Sequence, residues 1–79
     1  MNNIEKLKNV FVTILEIDLS LVNDDLKYQS IAQWDSINQM FLISEIENVF
    51  EVEIDSDDVL EIDSFTHAKE ILGKYEIKF

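Results

Sequence analysis

The stretch from Asp35 to Phe50 constrains the fold more than any other part of the chain. Leu42, Ile43, Ile46, Val49 and Phe50 recur at helical spacing, and at about 100° per residue they gather on one side of a helix. Ile37, Met40 and Phe41 fall on the opposite side, near Ser44, Glu47 and Asn48. One side must be the core. The other is then an apolar patch with nothing obvious to bury it, as at a docking surface. With no proline, one glycine and 47% hydrophobic residues, the remaining chain also favours helices over a turn-rich β fold.

The start of this helix carries its chemistry. Asp35 and Ser36 both suit a helix N-terminus, because their side-chain oxygens accept first-turn N–H groups that have no partner in the helix. With Asp35 as the cap, Ser36 is the first helical residue and its hydroxyl lies on the surface. Free N–H groups and the helix dipole favour negative charge there, so the position suits an attached phosphodiester. Asp55-Ser56 and Asp63-Ser64 repeat the dipeptide, but they precede short patterns and read as plain caps. Only Asp35-Ser36 has a long loop ahead of it, an aromatic residue immediately before it and a long amphipathic helix after it.

Elsewhere the pattern is simpler. Asn2 or Asn3 caps a first helix whose core stripe is Ile4, Leu7, Val10, Phe11, Ile14 and Leu15. The period is lost from Ile17 to Trp34, which predicts a long structured loop anchored by Leu19, Leu21, Leu26, Tyr28 and Ile31. Asp55 or Ser56 caps a brief third helix, about Asp57 to Glu61, with Val59, Leu60 and Ile62 turned inward. Ser64 caps a last helix with a stripe of Phe65, Ala68, Ile71, Leu72 and Tyr75, followed by a fraying or short tail from Tyr75 to Phe79. His67 is off that stripe and has no serine or cysteine placed for catalysis. Asp55 and Asp57 begin like a calcium-binding loop, but its glycine and terminal glutamate are missing.

Charge and composition narrow the partners. Seventeen acidic against six basic residues give a formal net charge of −11. Such a surface opposes nucleic acid and steers in a partner with a basic surface. The absence of cysteine excludes disulfides and thiolate zinc sites. The first residues lack a signal-peptide layout and no apolar run reaches membrane-spanning length, so the expected setting is the cytoplasm, without membrane insertion. Seventy-nine residues make one small domain, residues 1–79.

The run Ile31-Ala32-Gln33-Trp34-Asp35-Ser36-Ile37, followed by Phe41-Leu42-Ile43-Ser44-Glu45-Ile46-Glu47-Asn48-Val49-Phe50, resembles the acyl and peptidyl carrier protein family. That family has a Trp-Asp-Ser-Leu-like segment leading into an apolar helix. The likeness continues through Val52-Glu53-Ile54, Asp55-Ser56-Asp57-Asp58 and Ser64-Phe65-Thr66, spanning about Leu19 to Leu72. It implies an all-α, four-helix bundle with three longer helices, a short third one and a long loop between the first two.

The resemblance also implies a carrier rather than an enzyme. A phosphopantetheinyl transferase would place 4'-phosphopantetheine on Ser36, with Asp35 helping to position the transferase's Mg²⁺. The arm would hold an acyl or aminoacyl group as a thioester for the loading and processing enzymes of lipid, polyketide or nonribosomal peptide biosynthesis. A monomer is expected. Partners would dock at Ile37, Met40, Phe41 and Glu47, and a short apolar cargo would shelter between the second and third helices, near Gln39, Ile54, Val59 and Ile62. The chain departs from the many members that line this helix with carboxylates: Asn38, Phe41 and Asn48 stand there, with Glu45, Glu47 and Glu51 remaining. The alternative is an unmodified acidic adaptor docking a basic partner through Ile37, Met40 and Phe41, with Ser36 only a cap.

Overall fold

The computed structural model describes residues 2–79. Among the described residues it contains four α-helices and no strand: α1 (Asn3–Leu15), α2 (Ser36–Phe50), α3 (Ser56–Val59) and α4 (Phe65–Gly73). Each longer helix starts where a side chain caps it. Asn2 accepts the Glu5 amide at 2.9 Å, Asp35 accepts that of Asn38 at 2.8 Å, and Ser64 accepts that of His67 at 2.9 Å. Helices α1 and α2 end without glycine, on Glu16 and Glu51 held at φ of 54° and 56°.

The core forms where the helical stripes meet. Phe11 of α1 lies edge-on to Trp34 and to Phe65, each with ring centroids 5.3 Å apart, an arrangement favoured by the ring quadrupoles. Leu7, Leu15, Leu42, Ile46, Ile62 and Leu72 close around these rings. No described helix is long and apolar enough to cross a membrane.

The loop between α1 and α2 differs from its expected anchoring. Leu26 is buried, and Tyr28 and Ile31 pack against the core, but Leu19 and Leu21 are exposed. They belong to a single 3₁₀ turn, Leu19–Leu21, too short to lay both on the core. Ile17, Val22 and Trp34 are the buried anchors instead. Main-chain bonds then pin the loop to the segment entering α4: Tyr28 N–H donates to the Asp63 carbonyl at 2.7 Å, and Phe65 N–H to that of Leu26 at 3.1 Å.

Two further expectations are corrected and a third, for the C-terminal segment, is narrowed. Helix α3 is Ser56–Val59 rather than Asp57 to Glu61, and Leu60 points into solvent at 82% exposure, while Ile62 is buried. Phe50 is half-buried, its ring 6.2 Å from that of Phe79, because it sits at the open end of α2. The C-terminal segment is tied down rather than frayed: Asn3 Nδ2 donates to the Lys78 carbonyl at 2.9 Å and Ile77 packs against the core.

Candidate functional site

The Asp35 cap fixes where α2 begins, and with it the place of Ser36. Asn38 is bonded at both ends, its amide N–H to Asp35 Oδ1 and its side chain to the Gln33 carbonyl at 2.7 Å. One residue before the cap, Trp34 is wholly buried and anchors the loop. Ser36 is thus an exposed residue directly after a buried anchor and a bonded cap. The amides of Ser36 and Ile37 lie in the first turn of α2, where N–H groups have no intrahelical partner.

Beside Ser36 an open groove of about 290 Å³ runs between α2 and α3, lined by Tyr28, Ser36, Gln39, Met40, Val59, Leu60, Ile62 and Asp63. Three of the four residues expected to shelter cargo, Gln39, Val59 and Ile62, line it. Ile54 does not and is buried in the core. Two other depressions, of about 370 and 570 Å³, border the start of α4 and include neither Ser36 nor Asp35.

The second face of α2 is free, as its periodicity implies. Ile37, Met40 and Phe41 are 67%, 68% and 58% exposed. From Ser36 to Ser44 the helix carries no charged residue, on a chain of net charge −11. Leu60 extends this apolar surface across the groove from Met40. Glu47 stands apart from the patch in role: it is half-buried, and its Oε2 accepts the Ile54 amide at 2.9 Å.

The Asp-Ser repeats resolve into different roles. Ser64 is buried with its hydroxyl spent as the α4 cap, and Asp55 makes no side-chain cap for α3. His67 is exposed and bonds to Asp63 through Nδ1. No group of three metal-ligating side chains occurs among the described residues.

Three polar arrangements are absent from the sequence reading. Gln39 joins the Trp34 indole to the chain after α3. Asp58 is buried and accepts from Lys74 Nζ at 2.6 Å and from the Tyr75 hydroxyl at 2.7 Å. Asp24 accepts from the Thr66 hydroxyl at 2.9 Å and faces Lys69 at 3.5 Å, and these contacts hold its carboxyl below the usual range. Each links residues far apart in sequence, where periodicity carries no signal.

A small helical bundle that presents an exposed serine at a capped helix start, beside an apolar groove, is consistent with the architecture of a carrier domain. The sequence model of the family described as phosphopantetheine attachment site matches residues 5–66, most of the chain, and the chain belongs to that family. No individual curated protein matches it. Members carry 4'-phosphopantetheine covalently on a serine, so this chain is a phosphopantetheine-carrying carrier protein. Domains of this kind are generally non-catalytic and work with the enzymes that modify and process them.

Proposed function

We propose that Ser36 is the attachment serine and that residues 1–79 act as one cytoplasmic, monomeric acyl or aminoacyl carrier domain. The observation that carries this reading is the exposed Ser36 at the capped start of α2, open to the groove. The site fits a phosphodiester: the hydroxyl faces solvent, first-turn amides lie beneath it, and no basic side chain is needed to offset its charge. In loading, Ser36 Oγ attacks the β-phosphate of coenzyme A. A new oxygen–phosphorus bond forms, the bond to 3',5'-ADP breaks, and the serine proton leaves to solvent or to a base of the transferase. Asp35 would offer its second carboxylate oxygen, a hard ligand, to the transferase's Mg²⁺, while Oδ1 caps the helix.

Once attached, the arm supplies a terminal thiol that holds cargo as a thioester. The chain's own part is to keep Ser36 rigid and to present it at high effective concentration to successive enzymes. Ile37, Met40 and Phe41 form the docking face, with Glu47 at its edge. A partner suited to this face has an apolar centre where α2 is uncharged and a basic rim toward the acidic remainder.

Intact-mass measurement after incubation with coenzyme A and a broad-specificity transferase tests the assignment. One phosphopantetheine is expected on the wild type and none on Ser36→Ala, which keeps the Asp35 cap and the fold. An unchanged wild-type mass, or a modification that survives Ser36→Ala, would favour the adaptor that docks through the same patch without an arm.

A further inference from the structure

The groove beside Ser36 has a polar base under apolar walls. Gln39, one turn along α2, is half-buried there. Its Oε1 accepts the Trp34 indole N–H at 2.6 Å, and its Nε2 donates to the Ile62 carbonyl at 2.9 Å and, at 3.5 Å, to that of Val59. An indole N–H only donates and a carbonyl only accepts, so the two neighbours fix which end of the carboxamide faces which way. A polar bridge of fixed length thus spans from the core, through α2, to the connection between α3 and α4.

A group entering from Ser36 meets Met40, Val59 and Leu60 as walls and this bridge at the inner end. Going deeper would break the bridge and strand the buried indole N–H or the Ile62 carbonyl without a partner, which is strongly unfavourable. The open volume, about 290 Å³, sets no limit on chain length by itself; the limit comes from the bridge at the inner end. We infer that Gln39 sets the depth of the groove and restricts the apolar group sheltered there to a short acyl chain. The inference rests on Ser36 being the attachment serine.

The test uses the intact protein loaded from butyryl- or decanoyl-coenzyme A, with intact mass confirming one acyl arm on Ser36. Readouts are the melting temperature relative to the free-thiol arm and the Trp34 indole N–H resonance. In the wild type, butyryl should raise the melting temperature by a few degrees, decanoyl should raise it no further, and neither should move the indole resonance far. In Gln39→Leu the unloaded protein melts lower, decanoyl stabilises more than butyryl, and the indole resonance follows the chain length. A merely structural glutamine would lower all loaded forms equally and leave their order unchanged.

The inference is overturned if decanoyl stabilises the wild type beyond butyryl and shifts its indole resonance, if neither chain has an effect, or if the variant keeps the wild-type order. Should Gln39→Leu fail to fold, Gln39→Met replaces it, and the wild-type comparison decides by itself. Absence of the mass increment would instead overturn the Ser36 assignment, a failure distinct from correct loading without a chain-length limit.

Discussion

The Tyr75 hydroxyl donates to Asp58 Oδ2 at 2.7 Å, joining the segment after α4 to the short helix α3. The same hydroxyl accepts the Asp55 amide at 2.9 Å, and Lys74 Nζ reaches Asp58 Oδ1 at 2.6 Å. A four-residue helix has too few internal bonds to persist alone. This latch, with Ile62 and the Gln39 bridge, is what keeps α3 in place and hence forms one wall of the groove.

The latch predicts a pH dependence. The hydrogen bond from Lys74, then that from Tyr75, hold the Asp58 carboxyl below its ordinary value. A lowered carboxylate stabilises the fold fully above its unfolded pKa, about 3.9, and that contribution is lost as pH falls through the lowered value. Asp58 also raises the pKa of Lys74 and of Tyr75, chiefly through the same hydrogen bonds. Their contributions are complete below their ordinary values, near 10, and vanish as pH rises through the raised ones. The melting-temperature gap between wild type and Asp58→Asn should therefore be widest at intermediate pH and shrink below about pH 4 and above about pH 10. A gap independent of pH would show that the latch does not stabilise the fold through charge.

Three phenylalanines should separate by burial alone. Phe11 is fully buried between Trp34 and Phe65, so Phe11→Ala should cost about 3–5 kcal/mol. Phe41 is exposed on α2, and Phe41→Ala should stay within about 0.5 kcal/mol. Phe50, half-buried against Phe79, should fall between them. Urea denaturation with a common slope measures all three; a Phe41 loss as large as that of Phe11 would mean the exposed face is covered in solution.

Glu51 offers a stabilising change. It holds the left-handed conformation at the end of α2, which costs an L-residue about 1–2 kcal/mol, and its carboxylate adds to the negative end of the helix dipole. Glycine accepts that conformation freely but loses more backbone freedom on folding. Glu51→Gly should gain about 1 kcal/mol net, a rise of about 4–8 °C in Tm for a domain of this size. A lower Tm would indicate a native role for the Glu51 side chain.

These sites show what the sequence discloses and where it stops. The start of α2 is legible because a cap is a local signal, and its two apolar faces are legible because a fifteen-residue helix holds its register. Leu60 is misplaced by the same reasoning because α3 is too short to have a register to extrapolate. In the aperiodic loop, nothing separates buried Val22 and Trp34 from exposed Leu19 and Leu21 before the turns are known. The family resemblance anticipates Gln39, Val59 and Ile62 in the groove but misplaces Ile54, whereas the bonds of Gln39 and Asp58 depend on partners that only tertiary packing brings near.

The uncharged face of α2 also bears on how the protein behaves in concentrated solution. Ile37, Met40, Phe41 and Leu60 form a surface that could adhere to its own copy, and like charge at net −11 holds copies apart. That repulsion fades as the pH approaches the sequence isoelectric point, about 4.1. Colloidal stability and the proposed docking face are therefore coupled: the acidity that would draw in a basic-rimmed partner would also let an adhesive patch stay uncovered without precipitation.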